Sequence, residues 1–197
     1  MLIESLLASL IIGLIRGGKL SRFSHIRFTK VWTFLLAVIL QVGIILFGLS
    51  GNDIVLNYIK ELYIASYVLL FIGIILNINY RSLWVIIIGT ITNLFVFFAN
   101  DGKMPISIES LKLIGLSDLA SMAENGKIAL YTPLTDKTKY AFLGDIITIP
   151  QPYPHPQILS IGDIIIALGL FLFIQSIMLN EGYDRTKMIR FKYRSRM

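Results

Sequence analysis

The chain has no cysteine. Disulfides, thiolate metal sites and cysteine nucleophiles are therefore excluded, whatever compartment the protein occupies. Charge is scarce as well, at 15% of residues against 55% hydrophobic, below what a soluble domain of 197 residues carries. Proline is missing from every long apolar stretch. All six prolines, Pro105, Pro133, Pro150, Pro152, Pro154 and Pro156, fall in one connection, so no apolar stretch looks like the broken helix of a transporter. No internal repeat is present, and no GxxxG pair appears in the apolar stretches, where glycines look scattered.

What is present is apolar sequence in blocks too long and uniform for half-buried surface elements. A bilayer core takes roughly 20 apolar residues per helix. Four blocks approach that length and a fifth is shorter. The fold class expected is an all-α membrane protein with about five transmembrane helices, at about 2–16, 31–49, 59–78, 83–99 and 159–180. The first block carries its positive charge after the apolar run, as Arg16, Lys19, Arg22, Arg27 and Lys30, the reverse of a secretory signal. That order favours a retained helix; a re-entrant or interfacial helix is the alternative.

The net charge of +6 is read as topology and anionic-lipid contact rather than nucleic-acid binding. Alternate connections differ in Lys and Arg. Twelve lie on one side, in the first connection, at Arg81 and in the tail 181–197, against six on the other. The richer side is expected to be cytoplasmic, which places the N-terminus outside and the C-terminus inside a bacterial cytoplasmic membrane.

Segment 100–158 is then extracytoplasmic. Structureless connections of that length are rare, so it should fold. Ser117 is expected to cap a short helix through Glu124 that Asn125-Gly126 ends. Lys127–Thr132 and Tyr140–Ile149 read as two strands of a β-hairpin around the turn Thr135–Thr138, and the prolines from Pro150 to Pro156 as an extended polyproline segment. The apolar Ile106, Leu111, Leu113, Ile114, Leu116, Phe142, Ile146 and Ile147 suggest that the segment lies on the membrane face or caps the bundle.

Candidate sites cluster in and around this segment. Asp163 sits near the start of the last span, where a carboxylate is costly and hence a functional candidate. Ser160-x-x-Asp163 also fits a helix-start signal, which would make Asp163 a cap. Asp145, in Leu143-Gly-Asp-Ile146, echoes Ile161-Gly-Asp-Ile164 across the proline segment. If the segment folds back, the two carboxylates form an acid–base pair; otherwise they are separate turn or cap residues. His155 lies between them and could complete a hard metal site or be a solvated loop residue. Asn100, Asp101 and Lys103 could form the polar lip of a ligand pocket, or a plain helix-exit turn. Among the polar residues of the spans, Gln41, Asn77, Thr90, Thr92, Asn93 and Gln175, which commonly join helices, Asn93 lies on the same span as that turn.

Asn100-Asp-Gly-Lys-Met-Pro105, Leu143-Gly-Asp145 with Pro150, and Ser160-Ile-Gly-Asp163 together resemble a bacterial membrane family catalogued as domain of unknown function 5317. The resemblance covers most of the chain and implies the multi-span fold without an activity. The last four spans, with one Asp in an outer loop and another at the start of the final span, look like lipoprotein signal peptidase, an aspartate protease of the outer membrane face. That likeness would make Asp145 and Asp163 the catalytic dyad. The chain departs from it in having Ser-Ile-Gly-Asp163 for Asn-x-Ala-Asp, and in lacking Asn-x-x-Asp-Arg. The first functional expectation is a non-enzymatic membrane protein binding a ligand, lipid or partner protein at its outer face through Asn93, Asn100, Asp101, Lys103 and His155. The second is an intramembrane aspartyl hydrolase using Asp145 and Asp163. The third is a structural subunit of a membrane complex. No cofactor, metal or nucleic acid is implied.

Overall fold

A computed structural model describes residues 1–49 and 53–179. The expected basic tail lies outside the described residues. Five apolar helices dominate: α1 (Leu2–Ile15), α2 (Trp32–Leu49), α3 (Asp53–Ile75), α4 (Leu83–Ala99) and α7 (Ile161–Leu179). Two contain stretches long and apolar enough to cross a membrane, Tyr58–Ile75 and Ile161–Leu179; Leu2–Ile15, Trp32–Ile44 and Leu83–Ala99 are shorter apolar segments.

α7 packs between α1 and α4, while α2 pairs with α3. Glycines set how closely these helices approach. A Cβ on Gly162 would lie 1.9 Å from Asn93 Oδ1 and 2.8 Å from the Gly89 carbonyl oxygen; one on Gly169 would lie 2.8 Å from the Ile86 nitrogen. Gly89, Gly162 and Gly169, which look scattered along the chain, thus form one α4–α7 seam. Gly162 and Gly169 repeat at seven residues, two helical turns, rather than the four of GxxxG.

Polar side chains fasten α1 to α7. Gln175 Nε2 donates to the Ser9 carbonyl at 2.6 Å, Arg16 Nη1 donates to Gln175 Oε1 at 3.0 Å, and Ser5 Oγ donates to the Ala167 carbonyl at 2.6 Å. Gln41 Nε2 donates to Ser66 Oγ at 3.4 Å between α2 and α3. Asn77 exchanges two bonds with the Thr29 backbone, at 2.7 and 2.9 Å, and so closes the first connection onto the end of α3. Thr90 and Thr92 do not join helices; each bonds a carbonyl four residues back in α4.

Segment 100–158 is folded. It contains β1 (Met104–Ile106), α5 (Ile108–Leu113), α6 (Ser117–Glu124), β2 (Tyr131–Pro133), β3 (Ile147–Ile149) and β4 (Gln157–Leu159). α6 has the expected bounds, but Leu116 is its N-cap and Ser117 its first helical residue, without a side-chain cap bond. Its end is a Schellman turn, with Gly126 at φ +66° and Lys127 N–H donating to the Met122 carbonyl at 2.9 Å.

The expected hairpin between Lys127–Thr132 and Tyr140–Ile149 does not form. β2 pairs in parallel with β1, and β3 pairs antiparallel with β4 in the register Ile147↔Leu159. The proline segment lies between β3 and β4 and reverses the chain, with Tyr153 N–H donating to the Pro150 carbonyl at 3.2 Å. The prolines withhold donors only within the reversal, so Gln157–Leu159 remains free to pair. Ile106, Leu111, Ala120 and Ala123 form a small core here, whereas Leu113, Leu116, Phe142 and Ile146 are exposed.

Candidate functional site

The N-terminus of α7 meets the C-terminal half of α4 at the end of the bundle that carries the folded segment. Ser160 and Asp163 cap α7 reciprocally. Asp163 N–H donates to Ser160 Oγ at 3.0 Å, and Ser160 N–H donates to Asp163 Oδ2 at 3.1 Å. This is a capping box with Asp in the place usual for Glu. Asn93 of α4 closes the ring. Its Nδ2 donates to Asp163 Oδ1 at 2.8 Å, and its Oδ1 accepts from Ser160 Oγ at 2.9 Å. Gly162 makes this possible, since any side chain there would displace the Asn93 amide. The capping alternative for Asp163 therefore holds, and both of its oxygens have donors.

Asp145 arrives from the other side. Its N–H donates to the Pro105 carbonyl at 2.8 Å, and its carbonyl accepts from Ser107 N–H at 3.0 Å, so the backbone is clamped beside the β1–α5 junction. One residue later, Ile146 N–H donates to the Leu159 carbonyl at 3.2 Å, adjacent to Ser160. The fold-back across the proline segment thus carries Asp145 toward the start of α7. The residue is only 8% exposed. Its carboxylate accepts no hydrogen bond among the described residues. Burial first, and the charge of Asp163 second, push the Asp145 carboxyl from the usual carboxylate range up to about 7.

Three tyrosines complete the surroundings. The charge of Asp145 acts on Tyr63 and Tyr67 of α3 and on Tyr131 of β2. The Tyr63 and Tyr67 hydroxyls are 3.0 Å apart, and the Tyr63 ring packs on Phe97 at a centroid distance of 4.7 Å. Burial and the neighbouring Asp145 raise the Tyr131 phenol, which therefore stays a neutral donor. The sequence reading did not single out these tyrosines. A usable signal was there: Tyr63 and Tyr67 stand four residues apart, on one face of an apolar helix.

The other sequence candidates lie apart from this cluster. Asn100 Nδ2 donates to the Val96 and Lys139 carbonyls, both at 2.9 Å, and its Oδ1 accepts from Lys139 N–H at 3.0 Å. Its amide is a clasp between the end of α4 and residue 139. Asp101 is exposed at φ +57°, Gly102 follows at φ +78°, and Lys103 N–H donates to the Asn100 carbonyl at 3.1 Å, so these residues form an exit turn. His155 is exposed. Neither Asp101, Lys103 nor His155 is among the groups that shift Asp145. Among the described residues no three His, Cys, Asp or Glu side chains converge as a metal site, so an Asp145–His155–Asp163 site is not formed. His155 belongs to the exposed proline reversal, while Asp145 is drawn inward by β1.

An uncharacterized protein of Thermotoga maritima is 32% identical over 131 residues, which make up 66% of this chain and 73% of the relative. No solved structure matches the chain. The model of a family of unknown function, DUF5317, matches residues 25–175, and with that span of α2, α3, α4, the folded segment and most of α7, the chain belongs to this family.

Proposed function

We propose that the protein is a multi-pass membrane protein that binds a small ligand or lipid group at the outer end of its helices, through Asp145 and the residues around it. The observation that carries this reading is an Asp145 that is only 8% exposed, whose carboxylate has no donor among the described residues while its oxygens still reach the surface, near Asp163, Tyr63, Tyr67 and Tyr131. A carboxylate that the described chain does not bond, and that can be reached from outside, is suited to a partner from outside the chain.

The membrane part of the reading rests on the five apolar helices, the apolar side chains that α1, α2 and α4 expose, and the Lys/Arg asymmetry between connections. With no native cysteine, topology is directly measurable. In intact cells an impermeant maleimide should label Lys137→Cys and spare Ser24→Cys; the opposite pattern would invert the orientation and leave the site on the cytoplasmic side.

Binding is tested by native mass spectrometry of the protein released from membranes. The wild type should carry a bound small molecule or lipid that Asp145→Asn lacks. Identical bound species in the two proteins would end the binding reading at this residue.

A second reading, an aspartyl hydrolase, is favoured by one feature: Asp163 acts electrostatically on an Asp145 that titrates near neutrality. The capping bonds that occupy both Asp163 oxygens weigh against it. Cleavage of a lipidated peptide that both Asp145→Asn and Asp163→Asn abolish would establish hydrolysis; no turnover by the wild type would remove it.

A further inference from the structure

The end of the bundle opposite the folded segment carries charge of one sign. No acidic residue occurs between Glu4 and Asp53 or between Glu61 and Asp101, so Arg16, Lys19, Arg22, Arg27, Lys30 and Arg81 stand in their two connections without a carboxylate. The ion pairs among the described residues, Met1 amine with Glu4 and Lys112 with Glu124, involve none of them. Positive charge near span ends would by itself set only topology. The structure goes further and joins the two connections into one surface. Asn77 exchanges bonds of 2.7 and 2.9 Å with the Thr29 backbone, and the Tyr80 hydroxyl donates to the Arg27 carbonyl at 3.5 Å, so Arg81 is brought beside Arg27 and Lys30. The Phe28 ring packs on Tyr80 at a centroid distance of 5.4 Å and on Phe173 of α7 at 5.7 Å. At the end of α7, Lys19 N–H and Arg22 Nη1 both donate to the Met178 carbonyl, and Arg16 Nη1 donates to Gln175 Oε1 at 3.0 Å. These bonds hold the backbone beneath Lys19, Arg27 and Lys30, while those side chains and Arg81 stay exposed.

Apolar side chains share this surface. Trp32 opens α2 and Trp84 is the second residue of α4; both are half exposed, as is Leu20 in the short 3-10 helix Leu20–His25. Tryptophan is enriched where acyl chains meet headgroups. We propose that this face binds the phosphates of anionic phospholipids through Lys19, Arg27, Lys30 and Arg81, with Trp32 and Trp84 at the acyl boundary. The surface is separate from the Asp145 site and does not depend on it. Arginine presents a fork that matches two phosphate oxygens, and lysine a mobile point charge. The exposed tryptophans and Leu20 weigh against nucleic acid, which would leave them in water. Cations spread over an open face suit a layer of headgroups better than one free phosphate.

Each cation held near an anionic membrane contributes on the order of fivefold in affinity. Attraction between exposed charges is also screened by salt, with a Debye length of about 3 Å at 1 M. A preference for anionic lipid that comes from this face should therefore fall steeply with ionic strength.

The chain has two tryptophans, both on this face, so their emission reports it without a label. The full chain is placed in nanodiscs of phosphatidylcholine with increasing fractions of dibrominated phosphatidylglycerol, whose bromines quench tryptophan on contact. Dibrominated phosphatidylcholine is the control. The expected result is half-maximal quenching at a roughly fivefold lower fraction of the anionic lipid, a preference that approaches parity at about 1 M salt. Arg27→Gln/Arg81→Gln should lose most of the preference, and Arg27→Lys/Arg81→Lys should keep most of it. Lys127→Gln/Lys137→Gln, in the folded segment, should leave it unchanged. Unaltered quenching by brominated phosphatidylcholine checks that each variant is folded. Where the glutamine variant fails that check, the salt series on the wild type decides. Equal quenching of the wild type by the two brominated lipids would overturn the proposal, as would a preference that survives either high salt or the glutamine pair in a folded variant. Relief of quenching by inorganic phosphate, but not by chloride at equal ionic strength, would replace the lipid with a free phosphate. Displacement of the anionic lipid by a short DNA duplex would replace it with nucleic acid.

Discussion

In the α4–α7 pair, a glycine on one helix rests on the backbone of the other. In the α2–α3 pair it rests on side chains. A Cβ at Gly89 would lie 2.6 Å from the Gly162 carbonyl oxygen and 2.8 Å from the Ile166 nitrogen, whereas one at Gly73 would meet Thr33 Oγ1 at 2.6 Å and the Phe34 ring at 3.0 Å. Backbone in a helix has nowhere to go, while a side chain can change rotamer. The two pairs also differ in polar content among the described residues, since α4 and α7 share the Asn93–Ser160–Asp163 ring and α2 and α3 the long Gln41–Ser66 bond. One interface is thus fixed in spacing and rotation and the other is tolerant. The Asp145 cluster draws its carboxylates and tyrosines from both sides of that divide.

The sharpest way to break the comparison is to add one methyl group to each seam. Gly89→Ala should cost about 3 kcal/mol or more, at the upper end for overpacking, and lower the melting temperature in detergent accordingly. Gly73→Ala should stay within about 1 kcal/mol of wild type, helped by the gain in helix propensity. Equal losses would mean that the α2–α3 pair is as rigid as its neighbour.

The next effect depends on pH. A carboxyl raised in the folded state adds stability when protonated, and that stability is lost as pH rises from the unfolded value through about 7. Asp145→Asn should therefore melt above wild type at pH 8, by at most about 4 kcal/mol, with the difference shrinking toward pH 4. A difference that does not vary with pH would show that Asp145 is not titrating in this window.

Removing the amide that joins α4 to α7 comes third. Asn93→Ala leaves Asp163 Oδ1 without its side-chain donor and Ser160 Oγ without its acceptor, at a cost of about 1–3 kcal/mol. Gln41→Ala, its counterpart in the tolerant pair, should cost under about 1 kcal/mol, because its bond is long. Thermal melts of the two variants side by side measure the ratio.

The sequence was readable where structure is local. The apolar blocks mark the five long helices, Asn125-Gly126 ends α6, and Ser160-x-x-Asp163 gives the α7 cap, because each depends on residues within a turn or two. The strand partners were not readable. β1 and β2 pair across two intervening helices, and nothing within Lys127–Thr132 identifies Met104–Ile106 as its neighbour. The glycine seam escaped for a related reason: Gly89 acquires its meaning from Gly162, on a helix far along the chain. Asp145 and Asp163 could be singled out as costly residues. The tyrosines from α3 and β2 could not be joined to them without the tertiary arrangement, and the lip residues Asn100, Asp101 and Lys103 prove to build a turn.

The Asn100 clasp makes the stretch from 100 to 139 a closed ring, pinned at both ends to the last turn of α4. A ring hung from one point can be opened anywhere along its length without detaching either end. The ring also holds the strand that follows, because Pro105 and Ser107 inside it clamp the backbone of Asp145, the first charged residue beyond the knot. A nick or an inserted epitope at Asp136 would leave the Asp145 clamp under no new tension, whereas one between Asp145 and Ser160 would cut the tether that brings the two carboxylates together.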